Sequence, residues 1–136
     1  MNLLREYTRE LLIEQAQDLE QVVWQFREEM ESKMGWDSNQ GCFTNQCHRM
    51  SRQLVKRLKE AGFNAREVEG TYYGASDEFV IAHEEHDEGY GEFFHWWVEA
   101  DGKIIDVAAE QFHPGREGAY RVVITDPGDE NYGGRV

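Results

Sequence analysis

Apolar residues recur at helical spacing through the first quarter of the chain, and neither Gly nor Pro interrupts residues 3–33. Intervals of three and four residues place such side chains on one face of an α-helix. The pattern predicts an N-terminal helical layer over residues 1–34, as one helix or as two separated by a single break. Its apolar face consists of Leu4, Tyr7, Leu11, Leu19, Val22, Phe26 and Met30.

A second helical stripe follows residues 35–44, a segment whose Gly, Asn, Asp and Ser content indicates a loop. Cys47 lies three positions before the first residue of this stripe and on the same face, so we expect its sulfur to point inward. Thr44 or Asn45 can cap the start of the helix, and Gly62 can end it. The stripe itself comprises Met50, Leu54, Leu58 and Ala61.

Short runs rich in β-branched and aromatic residues fill most of the second half of the chain. We predict that they form an antiparallel meander packed on the second helix, whereas residues 126–136 lose periodicity and form an irregular tail. The fold class is then α+β, with N-terminal helices and a central helix on an antiparallel sheet. At 136 residues the chain is too short for two ordinary domains, so residues 1–136 are expected to form one. The runs are AREVEGTYY, EFVIAH, EFFHWWVEA, KIIDV and YRVVIT.

One hairpin in this meander brings a histidine toward an aspartate. Asp101-Gly102 is a strong signal for a two-residue turn, which would pair Ala100 with Lys103. Alternation along the strands then places His95 and Asp106 on the same face, on a diagonal of roughly 7–8 Å that their side chains can close to a hydrogen bond. The pair is either an oriented catalytic base or a buried contact that only fixes strand packing.

The position of Cys47 adds a possible nucleophile. Amide groups at a helix N-terminus carry about half a positive charge, which lowers the pKa of a thiol and favours the thiolate. If the inward face of this helix meets the sheet face that carries His95 and Asp106, the three residues form a nucleophile, a base and an orienting carboxylate. Otherwise Cys47 is a small buried apolar residue.

Charge restricts the possible partners. The chain has 14 Lys and Arg against 27 Asp and Glu, a net charge of −13, and residues 67–102 hold eleven acidic residues and no Lys or Arg. This balance argues against direct binding of nucleic acid or of anionic membranes through a basic face. It leaves open an acidic binding or inhibitory protein that engages a basic partner or mimics nucleic acid.

Cysteine use and hydropathy indicate a cytoplasmic protein. The two cysteines, Cys42 and Cys47, lie five positions apart, and the N-terminus has the pattern of an amphipathic helix and not of a secretory leader. No apolar run approaches the ~20 residues needed to span a bilayer. Cys42, Cys47 and His48 with His83 and His86 offer zinc ligands only at looser spacing than structural zinc sites have, so we predict neither a metal nor a cofactor.

Two segments carry a family resemblance. CHRMSRQLVKRLKEAGFNAREVEGTYY is similar to the part of transglutaminase-like cysteine enzymes in which the catalytic cysteine begins a helix that ends in a GxxAR turn, here Gly62 to Arg66. HWWVEADGKIIDVAAEQF resembles the histidine strand, hairpin and aspartate strand of the same superfamily. The match spans roughly residues 40–112, and counting back from the turn selects Cys47 over Cys42.

The resemblance implies a papain-like or transglutaminase-like core with Cys47 as nucleophile, His95 as base and Asp106 as the residue that orients the imidazole. NQGC at residues 39–42 also resembles the glutamine-containing oxyanion loop of papain-like enzymes, which makes Gln40 an oxyanion candidate. The chain departs from the family pattern at Trp96, where a small residue is usual, and at Val107-Ala108, where Pro-Thr is common.

The sequence therefore predicts a cysteine-dependent acyl-transfer enzyme that hydrolyses a peptide or amide bond through a thioester. Its substrate would be a peptide, a protein or a small amide. Deamidation and crosslinking use the same intermediate and differ only in the acceptor. An inactive member of the fold remains the other alternative to the acidic binding protein, because the residues around His95 depart from the family pattern.

Overall fold

The structure is a computed structural model that describes residues 19–34, 46–82 and 91–133. The helices are α1 (Leu19–Met34), α2 (Cys47–Glu60) and α3 (Asp77–Ala82), with 3₁₀ turns at Ala109–Phe112 and Glu117–Tyr120. The strands are β1 (Ala65–Tyr72), β2 (Phe93–Ala100), β3 (Lys103–Asp106), β4 (Val123–Thr125) and β5 (Tyr132–Gly133). The α+β class is confirmed. Among the described residues, no helix is long and apolar enough to cross a membrane.

The strands form one curled antiparallel sheet in the order β4-β3-β2-β1-β5. The β2–β3 hairpin has the predicted register, with Ala100 opposite Lys103 and Val98 opposite Ile105. Asp101 and Gly102 both have positive φ, at 52° and 72°, which is the conformation that a two-residue turn of this kind needs. Turn chemistry therefore fixes the relative positions of His95 and Asp106.

Two apolar clusters lie on opposite faces of the sheet. Helices α1 and α2 cover the face of β2 that carries Val98 and Ala100, and the predicted stripe residues Met50, Leu54 and Leu58 are fully buried there. The other face carries an aromatic cluster of Val68, Tyr72, Trp97, Ile104, Phe112 and Tyr132. Burial of large apolar side chains on both faces stabilises this five-stranded sheet.

The segment EFVIAH differs from its prediction as a strand, because residues 77–82 form helix α3. Ser76 begins this helix: its Oγ accepts the N–H of Phe79 at 3.3 Å, and its carbonyl accepts the N–H of Val80 at 3.0 Å. Asp77 and Glu78 then lie in the first turn, where the helix dipole favours negative charge. The capping interactions thus outweigh the strand propensity of the β-branched residues in this short run.

The ends of the predicted elements also differ. Gln46, and neither Thr44 nor Asn45, is the N-cap residue of α2, and Thr44 and Asn45 lie outside the described residues. Within the segment expected to be an irregular tail, β5 pairs with β1 through Tyr72 opposite Tyr132. This short strand brings an aromatic side chain from near the end of the chain into the aromatic cluster.

Candidate active site

Cys47 is the first residue of α2, as predicted, and it is a free, partly buried thiol. The N-cap residue Gln46 makes no side-chain capping hydrogen bond. The amides of the first turn therefore keep donor capacity beside the sulfur, together with the positive end of the helix dipole. A helix start of this kind can stabilise a thiolate and an adjacent oxyanion.

The hydrogen bond predicted between His95 and Asp106 is present. Nε2 of His95 lies 2.8 Å from Oδ2 of Asp106, and the two residues are 0% and 1% exposed. The imidazole packs edge-on against Tyr72 and Phe112, with ring centroids 5.7 and 4.9 Å away. Aromatic packing on these sides and the carboxylate at Nε2 hold the ring in one orientation.

Asp106 accepts two further hydrogen bonds. Its Oδ1 accepts the backbone N–H of Ala108 at 2.8 Å, and its Oδ2 accepts the hydroxyl of Tyr132, also at 2.8 Å. A buried carboxylate with three donors is well compensated for the loss of water. The negative charge of Asp106 is therefore sustained inside the aromatic cluster.

Helix α2 does not pack on the sheet face that carries His95. The predicted triad was conditional on the inward face of α2 meeting that face, but α2 packs on the opposite face, against Val98. Pairing of β2 with β3 ends at Val98, so the backbone of Trp96 lies beyond the last paired residue. The backbone of Trp96 is one of the groups that lower the pKa of the Cys47 thiol, and the side chain of His95 is another.

Electrostatics polarise the thiol and the imidazole toward an ion pair. Burial would raise the pKa of the Cys47 thiol, but interaction with His95 and the N–H of Trp96 outweighs burial and brings this pKa below its ordinary value. Burial would likewise lower the pKa of His95, but the charge and hydrogen bond of Asp106, helped by Cys47, raise it to about 9. Both shifts favour a thiolate beside an imidazolium.

The second ring nitrogen of His95 is left for the thiol. Because Asp106 occupies Nε2, Nδ1 is the atom that remains for Cys47, and it is buried without a standard hydrogen bond among the described residues. The two side chains nevertheless act on each other electrostatically, because each shifts the pKa of the other.

A stacked aromatic pair flanks the thiol. The ring of His48, the residue after Cys47, lies 3.8 Å from the ring of Trp96 at an interplanar angle of 11°. Nε2 of His48 is also 3.7 Å from Oε1 of Glu67. Trp96, which departs from the family pattern, therefore stacks on the residue that follows Cys47, and the His48 side chain is 42% exposed.

Two buried polar groups near the site were not found from the sequence. Tyr132 lies in the segment predicted to be irregular, and no local pattern indicates its contact with Asp106. Arg27, a residue of α1, is fully buried. It donates to the carbonyl of Val107 at 2.7 Å and to the carboxylate of Glu110. Its place on the flank of an amphipathic helix gives no sign of burial, because its partners come from the distant end of the chain.

Four other candidate residues belong to segments that the structure does not describe. Gln40 and Cys42 fall outside the described residues, as do His83 and His86 of the weighed zinc set. In the ranges that are described, no group of three or more His, Cys, Asp or Glu side chains is arranged to hold a metal ion. Nothing in this part of the chain adds a ligand set to the Cys47 site.

A groove lies at the hairpin end of the sheet. A cavity of about 510 Å³ is lined at the hairpin end of the sheet by residues that include Arg66, Asp101 and Lys103. Ala65 pairs with Ala100 there, five positions along β2 from His95. At ~3.3 Å per residue, this distance is about 17 Å. The groove is therefore separate from the Cys47 site.

Comparison of the chain with protein-family models, with curated protein sequences and with solved structures gives no match. The geometry of the site and the chemistry of its residues are therefore the grounds for assigning a function.

Proposed function

We propose that the chain is a cysteine-dependent acyl-transfer enzyme of papain-like or transglutaminase-like architecture, which hydrolyses a peptide or amide bond through a thioester. The main support is the electrostatic coupling between a thiol at a helix N-terminus and an imidazole that a hydrogen bond to Asp106 holds in place. The lowered pKa of Cys47 and the raised pKa of His95 agree with this assignment.

In the proposed reaction, the Cys47 thiolate attacks the substrate carbonyl carbon and forms a C–S bond. Amides at the start of α2 stabilise the oxyanion. The His95 imidazolium gives its proton to the leaving amine as the C–N bond breaks, which leaves a thioester. Neutral His95 then takes a proton from water as the water attacks the thioester, and the released thiolate and imidazolium are those of the starting state.

The acceptor in the second half determines the outcome. Water gives hydrolysis, whereas an amine that reaches the thioester gives a new amide bond. Hydrolysis is the proposed outcome because it needs only water as the acceptor. An inactive protein of the same fold would retain the His95–Asp106 contact for packing alone, and its thiol would show ordinary reactivity.

The first test is the pH dependence of Cys47 alkylation. Iodoacetamide modification would be followed separately at Cys47 and Cys42 by mass spectrometry of the peptides. Cys47 should react at least tenfold faster than Cys42 at pH 6, with a rate midpoint below the ~8.5 of a free thiol. His95→Gln should remove the advantage, whereas His48→Gln should retain most of it. Equal rates with an ordinary midpoint would refute the assignment.

The second test detects the acyl intermediate. With p-nitrophenyl acetate, the wild-type protein should release one equivalent of p-nitrophenol in a burst and carry the acetyl group on Cys47. Cys47→Ala should abolish the burst, and Cys42→Ala should retain it. A burst that survives in Cys47→Ala would place the acyl group on another residue and exclude the proposed nucleophile.

A further inference from the structure

The hydroxyl of Tyr132 makes a contact that packing does not require. It lies 2.8 Å from Oδ2 of Asp106, the same oxygen that accepts Nε2 of His95. A carboxylate only accepts hydrogen bonds, so the phenol must donate. The contact joins β5, at the edge of the sheet, to β3 across two intervening strands.

The position of Tyr132 is well defined. Its residue is 6% exposed, and its ring packs edge-on against Trp97 and Tyr72 with centroids 5.1 and 5.2 Å away. Burial, together with the charge of Asp106, raises the pKa of this phenol well above its usual range, so it remains a neutral donor. The hydroxyl is therefore a fixed dipole aimed at the carboxylate.

We propose that Tyr132 is a positioning residue of the site, whose hydroxyl fixes the orientation of Asp106 and moderates the pull of Oδ2 on His95. Ala108 N–H restrains Oδ1 from the same chain segment, and Tyr132 restrains Oδ2 from another strand, so the carboxylate cannot rotate about its Cβ–Cγ bond. Since Tyr132 and His95 share one oxygen, loss of the phenol concentrates the carboxylate charge on His95.

The catalytic meaning of this proposal rests on the proposed acyl-transfer function, but its test needs no substrate. The chain offers a matched control in Tyr72, a second buried tyrosine of the same cluster. The Tyr72 hydroxyl bonds to Nε2 of His113 at 2.8 Å and makes no hydrogen bond to Asp106. Tyr→Phe at either position removes one buried hydroxyl and retains the ring.

The measurement is a pH titration of ¹⁵N-labelled histidine by NMR, with the His95 signal assigned by its absence in His95→Gln. The other ionisable groups that act on Asp106 or His95 are Cys47, Tyr72, Tyr132 and His113, and only the varied hydroxyl changes between samples. Tyr132→Phe should raise the His95 midpoint by about one pH unit, because a carboxylate that loses a donor attracts the imidazolium more strongly. Tyr72→Phe should leave the midpoint where it is.

A His95 midpoint that is unchanged in Tyr132→Phe, or that shifts equally in both variants, would overturn the proposal. If Tyr132→Phe does not fold, 3-fluorotyrosine at position 132 gives the answer, since a more acidic phenol is a stronger donor. It should lower the His95 midpoint, and an unchanged midpoint would overturn the proposal. Failure of the proposed function is distinct: Cys47 would then alkylate as an ordinary thiol in the wild-type protein.

Discussion

Nε2 of His95 and Oδ2 of Asp106 are joined by a buried 2.8 Å hydrogen bond across the β2–β3 hairpin. Leaving either group unpaired at this depth would cost about 1–3 kcal/mol, so the folded state strongly favours the pair. Its alignment therefore comes from the fold and does not require a substrate. In the proposed function the pair also gives Cys47 a charged, oriented imidazole, which a purely structural contact would not need.

Asp106→Asn distinguishes a purely structural role of the His95–Asp106 pair from a role in holding a charged imidazole beside Cys47. The amide keeps an acceptor but loses the charge, so the pKa of His95 should fall from about 9 toward 6.5 and the Cys47 thiolate should lose its counterion. We expect the alkylation rate of Cys47 at pH 7 to fall at least tenfold. Because the carboxylate serves three donors, the free energy of unfolding in urea should also drop by about 1–3 kcal/mol.

Asp126→Asn is the matched control for that substitution. Asp126 is exposed and bonds to Lys103 at 2.7 Å, so its replacement should change stability by less than ~1 kcal/mol and leave alkylation as in the wild type. Loss of stability in Asp106→Asn with a wild-type alkylation rate would show that the His95–Asp106 pair serves packing alone.

The parts of the site that the sequence predicts are those set by local chemistry. The Asp101-Gly102 turn determines the hairpin register, which in turn places Asp106 on the diagonal from His95. Helical periodicity likewise places Cys47 at the start of α2. Each of these inferences depends on residues within about a dozen positions of one another.

The parts that escape prediction depend on contacts distant in sequence. Tyr132 follows Asp106 by 26 residues, and the partner of Arg27 at Glu110 follows it by 83. Neither contact produces a periodic pattern in the sequence, because each depends on a single side chain. The packing of α2 on the sheet face opposite His95 also leaves no pattern in the sequence, since it depends on contacts between distant segments.

Arg27 should be essential to stability. It is fully buried and donates to Glu31, to Glu110 and to the carbonyls of Val107 and Arg121. Arg27→Met would leave the Glu110 carboxylate buried without this partner, although burial already raises its pKa. We expect the free energy of unfolding in urea to fall by about 3–5 kcal/mol.

A compensating variant checks that explanation. Arg27→Met combined with Glu110→Leu removes both charges, so it should recover most of the lost stability. Arg57→Met, which breaks an exposed ion pair with Glu29, should cost less than ~1 kcal/mol. If the double variant is no more stable than Arg27→Met, the hydrogen bonds to the carbonyls, and not the unpaired carboxylate, account for the loss.

The raised pKa of His95 predicts a pH dependence of stability. The folded protein holds a proton up to about pH 9 that an unfolded histidine releases near 6.5. This contribution is fully present below pH 6.5 and is lost as pH rises through 9, with a slope of at most ~1.4 kcal/mol per pH unit. Urea unfolding of Cys47→Ala from pH 6 to 9.5 measures it without titration of that thiol. Adding His95→Gln should flatten the slope, and equal slopes would mean that the pKa of His95 is the same in the folded and unfolded states.

Substitution of Gly70 tests whether the close packing of β5 on β1 holds Tyr132 against Asp106. Gly70 lies opposite His95 on β1, and a Cβ there would come within 2.7 Å of the backbone oxygen of Gly133 and into contact with the ring of Trp97. Backbone yields less readily than a flexible side chain, so Gly70→Ala should push β5 away from β1 and lift Tyr132 off Asp106. We expect a loss of about 1–3 kcal/mol in urea unfolding and a His95 midpoint shifted as in Tyr132→Phe.

Gly118→Ala supplies the comparison, because a Cβ at that position meets nothing within 4 Å. It should leave the His95 midpoint unchanged and alter the free energy of unfolding by less than ~1 kcal/mol. Any change should be stabilising, because alanine lowers the conformational entropy of the unfolded chain. Should Gly70→Ala match Gly118→Ala in both measurements, the close approach of β5 to β1 would be wrong, and Tyr132 would need another route to Asp106. A destabilised Gly70→Ala whose His95 titrates as in the wild type would instead show that Asp106 keeps its orientation without Tyr132.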